Sequence, residues 1–304
     1  MTRRGWVLFS TMCVLWGMPY LLIKIAVEEL APSELVLLRT GLAALVLVPY
    51  AAARGQLLPA LRAWKPLLAF TALELTVPWL LLADAERDLP SSLTGLLVAA
   101  VPLVAAFAAR ATGDTDRLDR TRVVGLGIGF AGVAALVGLD VEGGAARAVA
   151  LVGVVVVCYA VAPLVADRWL SGVPATGVTA AALTITALVY LPVGGPGIAV
   201  PSTRVVVAVL LLTVACTIVA LLAFFALIAE AGPQRALVIT FVNPAVALLL
   251  GIVVLDEPLT LGALIGFPLV LLGCVLATRR TRSTRPVTAQ AAADEVLEQP
   301  VPRA

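Results

Sequence analysis

The chain has 304 residues, of which 61% are hydrophobic and only 13% are charged, and its mean hydropathy is +1.06. An average soluble domain carries about 25% charged residues, so this composition excludes a soluble globular fold. The formal net charge is only +2, and the basic residues are spread between apolar stretches. We therefore expect a lipid bilayer, and not nucleic acid, as the partner of this chain.

Ten apolar stretches follow one another along the chain. A membrane-spanning helix needs roughly 20 apolar residues, and the candidates are 5–23, 35–53, 66–83, 89–109, 123–139, 148–166, 175–191, 205–229, 236–255 and 258–278. Only the second and the third contain a charged residue, Arg39 and Glu74. We predict an all-α polytopic membrane protein with ten transmembrane helices.

The basic residues predict the orientation of these spans. Cytoplasmic loops hold an excess of Lys and Arg, and Arg3 and Arg4 place the N-terminus on the cytoplasmic side. With the spans counted from there, 16 of the 21 Lys and Arg residues fall on the inner side and five on the outer side. The excess of Arg over Lys is typical of a GC-rich bacterial genome. We predict a multi-pass protein of the bacterial inner membrane with both termini in the cytoplasm.

The second half of the chain echoes the first at an offset of 141 to 144 residues. The matched positions are Pro19 and Lys24 with Pro163 and Arg168, Pro102 with Pro244, and Gly125 and Gly132 with Gly266 and Gly273. Each half contains five spans, an odd number, so the second copy must enter the membrane in the opposite orientation. We predict a first five-helix repeat at 1–140, a second, inverted five-helix repeat at 141–278, and a disordered cytoplasmic tail at 279–304.

Several motifs are similar to those of a known family. In the second half they are AEAGPQRA at 229–236, FVNPAVA at 241–247 and LDEPLT at 255–260, and in the first half LWG at 15–17, Lys24, Pro32 and Arg39. With this order and spacing the chain resembles the EamA-type, ten-helix branch of the drug/metabolite transporter superfamily. The resemblance implies secondary transport of small metabolites, often as efflux, without ATP hydrolysis.

Glu74 is the residue that most favours transport, because it lies about half-way along the third stretch. A charged side chain at the bilayer centre costs roughly 2.5–3.5 kcal/mol on insertion scales, so it is expected to face a cavity or a partner. We predict that Glu74 binds substrate and is the candidate proton-coupling carboxylate. The alternative is a protonated glutamate that only packs between helices.

Arg39 and Lys24 are candidate partners for an anionic substrate group. Arg39 lies a few residues inside the outer end of the second stretch, where its guanidinium can reach the interface or the mouth of a cavity. Lys24 ends the first stretch beside two glutamates and is free to extend to the interface. We select Arg39, because apolar sequence follows it and leaves it less freedom.

Aromatic side chains make up only 6% of the chain. Those that lie deep in the spans are candidates for the apolar walls of a substrate pocket: Trp16, Tyr20, Trp79 and Tyr159. Packing between helices or against lipid is their alternative role. Asn243 precedes Pro244, a proline that frees a backbone carbonyl one turn earlier, and its amide is expected to satisfy that carbonyl or to meet a substrate.

The other motifs predict structure rather than chemistry. The four cysteines stand alone within spans and the chain has no His, so neither a metal site nor a cofactor is expected. Two GxxxG motifs, 125–129 and 262–266, permit close helix packing within a monomer or across a homodimer. Asp116 and Glu257 stand just before the fifth and tenth spans, where we expect them to cap those helices.

These observations predict a secondary transporter, and specifically an exporter, of small organic metabolites such as amino acids or amines. It would work by alternating access around a central cavity, with a proton as candidate coupling ion. An integral-membrane enzyme is an alternative, although the absence of His removes the usual general base. A non-transporting membrane sensor or assembly subunit is another.

The orientation is tested by labelling. Single cysteines placed at Gly55 and at Gly144 are expected to react with a membrane-impermeant maleimide from the cytoplasmic side and from the outer side, respectively. Right-side-out and inside-out vesicles distinguish the two. The opposite pattern at both positions would show that the orientation is inverted.

Overall fold

A computed structural model of the chain describes residues 1–111, 120–140, 145–195, 198, 200–232, 236 and 238–278. All regular structure within these residues is helical. Nine helices in this part of the chain are long and apolar enough to cross a membrane. A tenth apolar helix, Ile239–Leu255, is shorter and has 17 residues. The predicted all-α polytopic class is confirmed. The expected tail at 279–304 and the capping residue Asp116 lie outside the described residues.

We number the ten membrane helices in chain order and include their interruptions. They are α1 (Arg3–Gly17 and Pro19–Ala26), α2 (Pro32–Ala53), α3 (Trp64–Thr71, Ala72–Thr76 and Val77–Asp88), α4 (Ser91–Val98 and Val101–Ala111), α5 (Arg120–Asp140), α6 (Ala146–Leu170), α7 (Ala175–Gly194), α8 (Thr203–Thr213, Val214–Val219 and Ala220–Ala231), α9 (Ile239–Leu255) and α10 (Leu261–Thr278). A short helix, Leu57–Arg62, lies between α2 and α3.

Most helix boundaries differ by a few residues from the apolar stretches, and two of these differences have a clear cause. α3 continues to Asp88, because hydropathy marks where the bilayer ends and a helix can continue into the polar interface. α10 begins at Leu261 rather than at Pro258. The chain turns sharply at Asp256, which has a left-handed φ of 53°, and Thr260 then caps the new helix by accepting a hydrogen bond from the Ala263 N–H at 3.1 Å.

Prolines interrupt some helices and not others. α1 is divided at Met18, directly before Pro19, whose nitrogen carries no proton to donate. α4 is divided at residues 99–100, just before Pro102. Pro163, the sequence counterpart of Pro19, lies inside α6 without ending it. The match between these two prolines therefore does not extend to a shared helix break.

α5 and α10 pack closely through glycines. A Cβ atom added to Gly273 would stand 2.3 Å from the Cα of Gly129, and one added to Gly132 would stand 2.7 Å from the carbonyl oxygen of Gly266. Helix backbones approach this closely only where side chains are missing. Gly125, near the start of α5, faces the C-terminal end of α10, so the two helices run antiparallel.

Several of the helix contacts form a symmetric set, while others, such as α4 on α10, have no counterpart of similar extent. α2 packs on α7, α4 on α9 and α5 on α10, so three helices each pack on the helix five places later. The contact of α3 with α6 corresponds to that of α8 with α1. The contact of α4 with α6 corresponds to that of α9 with α1. Exchanging every helix with the one five places away leaves this set unchanged. The set supports the inverted repeat predicted for 1–140 and 141–278.

We call the membrane face at which α1 begins the N-terminal face, and the face at which it ends the Lys24 face. At the Lys24 face Arg147 of α6 forms ion pairs with Asp84 and Asp88 of α3. Arg204 at the start of α8 lies 3.1 Å from Glu28, which follows α1. These pairs are exposed, so each contributes about 0–1 kcal/mol. Together they connect helices from the two halves.

Each membrane face has a further polar contact. Hydrogen bonds from the side chain and backbone of Ser202, just before α8, lower the pKa of the exposed Glu29 carboxyl at the Lys24 face. At the N-terminal face Glu230, near the end of α8, accepts a hydrogen bond from Thr2 and lies 4.0 Å from Arg4.

A pair of glycine substitutions tests the α5–α10 packing. Gly273→Ala is expected to lower the free energy of unfolding by about 1–3 kcal/mol, because the added Cβ must displace the Gly129 backbone. Gly127→Ala on α5 is the matched control, since nothing lies within 4 Å of its added Cβ. It should be neutral or slightly stabilising, as Ala favours a helix over Gly. Thermal unfolding in detergent measures both, and equal effects would contradict the packing.

Candidate functional site

A cavity of about 500 Å³ lies between the helices. Residues of α1, α2, α3, α4, α6, α7, α8 and α9 line it, whereas α5 and α10 contribute none of the lining residues. Sites for small molecules typically measure about 300–1,000 Å³. The cavity is therefore large enough for a metabolite, and both halves of the chain build it.

All seven residues that the sequence predicts to bind substrate line this cavity: Trp16, Tyr20, Arg39, Glu74, Trp79, Tyr159 and Asn243. Five different helices carry them, so only the tertiary fold brings them together. Substrate binding by these residues stays a prediction. Lys24, the cation that we placed second to Arg39, is not among the lining residues.

The cavity extends toward the N-terminal face and stops short of the Lys24 face. Its wall includes Phe70 near the start of α3, Thr179 near the start of α7 and Phe225 near the end of α8, all in the N-terminal half of the bilayer. On the other side the wall reaches Ile23, Leu82 and Gly95. A cluster of buried apolar side chains fills the space there, and it includes Leu22, Ile25, Ala26, Val205, Val209 and Leu212.

Two π-helical segments form part of the wall, at matching places in the two halves. They are Ala72–Thr76 in α3 and Val214–Val219 in α8. A π-helix winds one additional residue into a turn and frequently marks a functional site. The first carries Glu74, and the second carries Thr217. Both side chains therefore project from irregular backbone into the cavity wall.

Side chains help to satisfy the backbone of these segments. The Tyr190 hydroxyl on α7 donates to the Thr76 carbonyl at 2.8 Å. The Thr217 hydroxyl donates to the carbonyl of Leu212, five residues earlier, at 2.9 Å. Irregular backbone at membrane depth requires such partners, because lipid supplies none.

The Arg39 guanidinium is buried in the wall, with 7% of the residue exposed. Its centre lies 3.6 Å from the ring centroid of Trp79, and its Nε donates to the Thr217 hydroxyl at 3.1 Å. No carboxylate within the described residues forms an ion pair with it. Of the two places that the sequence allows for this side chain, the interface and the mouth of a cavity, it occupies the cavity wall, because the indole face and the hydroxyl hold it inside the bundle.

Glu74 faces the same cavity from α3. It is partly exposed to the cavity, and among the described residues it has no ion pair and no hydrogen-bond partner. Tyr159 of α6 lies within electrostatic range of both Glu74 and Arg39. The cavity thus combines one cationic and one acidic side chain that have not paired with each other.

Aromatic rings form much of the remaining wall. The rings of Trp16 and Phe224 are tilted against each other with centroids 4.8 Å apart. Tyr20 lies against Gly95 of α4, where an added Cβ would stand 3.3 Å from its ring. Such walls offer a ligand apolar surface together with hydroxyl and indole N–H donors.

Asn243 does not satisfy the carbonyl that lies one turn before Pro244, and its contact with a substrate stays a prediction. In the amide orientation that satisfies its hydrogen bonds, its nitrogen donates to the Ile239 carbonyl at 2.9 Å and to the Cys13 carbonyl of α1 at 3.3 Å. Pro244 has no N–H to donate to the Thr240 carbonyl, and the amide contacts a different carbonyl. Asn243 therefore connects α9 to α1, although it also lines the cavity.

Glu257 caps a different helix from the one that we expected. Its carboxylate accepts hydrogen bonds from the Ser91 N–H at 2.7 Å, the Ser91 hydroxyl at 2.9 Å and the Ser92 N–H at 2.9 Å. These donors lie at the start of α4, not of α10. The antiparallel α4–α9 packing brings the two segments together, and sequence adjacency does not reveal it.

Sequence reasoning missed Thr217, the only hydrogen-bond partner of Arg39 among the described residues. A signal for it exists, since Thr217 lies 143 residues after Glu74, within the offset range of the repeat. The described residues contain no group of three or more His, Cys, Asp or Glu side chains that could hold a metal ion.

Comparisons with known proteins agree with this architecture. The model of the EamA-like transporter family matches residues 3–138 and again 146–279. The chain is 29% identical over 243 residues to a protein of Escherichia coli strain K12 named "Uncharacterized inner membrane transporter YedA", covering 78% of each chain. The same protein from E. coli O157:H7 matches equally.

A solved structure described as "Crystal structure of protein" shares the fold. It superposes with a TM-score of 0.64 at 19% sequence identity, covering 91% of this chain and 97% of the other. Together the family matches cover nearly the whole membrane domain in two consecutive segments. The chain belongs to the EamA-like transporter family.

Proposed function

We propose that this protein is a secondary transporter that exports a small zwitterionic metabolite, such as an amino acid, across a bacterial inner membrane. The observation that carries the proposal is the cavity in which Arg39 and Glu74 face the same space without pairing. The family and the name of the E. coli relative support transport and the inner membrane. The substrate is proposed from the charges alone.

The charges favour a ligand with two opposite groups. A buried charge without a partner is costly, and breaking a buried pair costs about 3–5 kcal/mol. A carboxylate bound at Arg39 and an ammonium bound at Glu74 would neutralise both. The ring of Trp79 already holds the guanidinium from one side, which leaves its other N–H groups for the substrate.

The shape of the cavity favours alternating access. It extends toward the N-terminal face, and the buried cluster around Leu22 and Leu212 closes the Lys24 face. The symmetric helix contacts suit a second state in which the halves exchange roles. With the sequence-based orientation, the state described here receives substrate from the cytoplasm, which agrees with export.

A set of substrate analogues tests the zwitterion. In liposomes, Arg39→Gln is expected to slow transport of an amino acid roughly 30-fold or more while sparing the corresponding amine, since a lost buried charge contact costs about 2 kcal/mol or more. Glu74→Gln should slow the amine and spare the corresponding carboxylic acid. Arg62→Gln, an exposed arginine outside the cavity, is the matched control and should change neither.

The same assay discriminates the proposal from its alternatives. Loss of all three analogues to the same degree in both variants would contradict charge recognition, although not transport. Absence of flux for every analogue, with product formation or with substrate-free signalling activity, would favour a membrane enzyme or a sensor.

Glu74 is also our candidate for proton coupling. Glu74→Gln should preserve folding, because an amide keeps the shape of a protonated carboxyl, and it should abolish the dependence of flux on a pH gradient. Flux of a neutral analogue across liposomes with and without a gradient measures this. Transport by Glu74→Gln that is still coupled to pH would leave Glu74 as a substrate ligand only.

A further inference from the structure

Glu86 is a buried acid that the cavity does not use. It lies in the last turn of α3 at the Lys24 face, is 0% exposed and is not a cavity-lining residue. Neither of its carboxyl oxygens has a hydrogen-bond partner among the described residues. Buried carboxylates are normally paired or hydrogen-bonded, so this carboxyl is unusual.

Lys24, the nearest cation, is already occupied. Its ammonium group donates to the backbone carbonyls of Glu86 at 2.6 Å, Leu89 at 2.9 Å and Arg87 at 3.5 Å. An ammonium has three protons, and these three acceptors use them at the C-terminal end of α3, where the helix dipole favours a positive charge. Lys24 therefore directs its hydrogen bonds to the end of the helix, and it acts on the Glu86 carboxyl only by attraction at a distance, which does not offset the burial of that carboxyl.

Of the other charged groups near Glu86, Glu257 is the one that disfavours a negative charge on its carboxyl. Glu257, between α9 and α10, lies within electrostatic range, and its three donors at the start of α4 stabilise it as an anion. The Tyr20 ring of α1 also lies within electrostatic range. The remaining charged groups at this end of α3 are Asp84, Asp88 and Arg147 of α6, which pair with one another at the surface, and Arg87, which is exposed.

We propose that Glu86 is a proton-binding site, separate from the substrate cavity, and that its proton keeps the Lys24 face closed. An ionised Glu86 would be a buried anion without donors beside the anion Glu257, whereas the neutral acid fits this environment. Opening of the face frees Lys24 from its carbonyls and admits water. Glu86 then releases its proton and pairs with the freed ammonium.

This coupling has a definite sign. The closed face binds one proton more than the open face, so rising pH favours opening and acid favours closure. By linkage, one released proton changes the ratio of open to closed molecules about tenfold per pH unit between the two titration midpoints. The inference rests on the proposed function only in that opening of the Lys24 face is a step of transport.

The proton is detected directly by infrared difference spectroscopy of the full-length protein in detergent. At about pH 7, where an exposed glutamate is ionised, the wild type should show the C=O band of a protonated carboxylic acid. Because Glu74 in the cavity also contributes to such a band when it is protonated, the comparison is made in a Glu74→Gln background. There Glu86→Gln should remove the band, and Asp88→Asn, which removes an exposed carboxyl from the same end of α3, should leave it unchanged. A band of unchanged size in the Glu74→Gln/Glu86→Gln double variant would overturn the proposal.

A second measurement follows opening of the Lys24 face itself. Leu82 is a buried residue at the closed end of the cavity, so Leu82→Cys, in a chain whose four native cysteines are replaced by alanine, reports opening of the Lys24 face when an impermeant maleimide is added only on that side of sealed vesicles. Its labelling rate, corrected for the pH dependence of a free thiol, should rise about tenfold per pH unit and lose this rise in Glu86→Gln. A corrected rate that does not change with pH in the wild-type background would overturn the proposal.

The two measurements do not depend on transport. A protein that transports no tested substrate but loses the infrared band in Glu86→Gln would refute the substrate proposal and retain the proton site. A protein that transports amino acids with the band unchanged would do the reverse.

Discussion

The cost of leaving a polar group unsatisfied in hydrocarbon is the constraint on which this structure depends. Because lipid offers no hydrogen bonds, the backbone between the interfaces must satisfy itself, and helices do so. Departures from regular helix are therefore confined to protected places. The break before Pro102 and the π-helical segments Ala72–Thr76 and Val214–Val219 all lie at the cavity wall. The irregular backbone needed to build a site is located where protein surrounds it.

The same cost determines how the charged side chains are used. Lys24 donates hydrogen bonds to backbone carbonyls at the end of α3, and Glu257 accepts hydrogen bonds from backbone N–H groups at the start of α4. Both residues connect helix ends from different parts of the chain at the Lys24 face. Arg39 and Glu74 are instead held at the cavity without a charged partner, which leaves them available to a ligand. The charged side chains that hold helix ends therefore lie at the membrane face, and those that line the cavity lie deeper in the bundle.

Much of this arrangement is predictable from the sequence because it depends on depth and periodicity. A lone acid in the middle of an apolar stretch must face a cavity, and Glu74 does. Arg39 and the deep aromatic residues follow the same reasoning. What the sequence does not reveal is which helix ends meet. The capping of α4 by Glu257, and the contact of Arg39 with Thr217, join residues more than 150 positions apart. Hydropathy places Glu86 beyond the third span and so does not indicate that it is buried, although α3 continues through it.

The π-helical segment of α3 has a geometric consequence for the whole Lys24 face. Each residue of an α-helix advances the side-chain direction by about 100°, so the one additional residue in Ala72–Thr76 sets the angular position of everything that follows in α3. Trp79 at the cavity and Glu86 behind it share that rotation. A deletion of one residue here would turn both away from their present neighbours together. The cavity lining and the end of α3 at the Lys24 face therefore share one helical phase, and a change in that phase moves both.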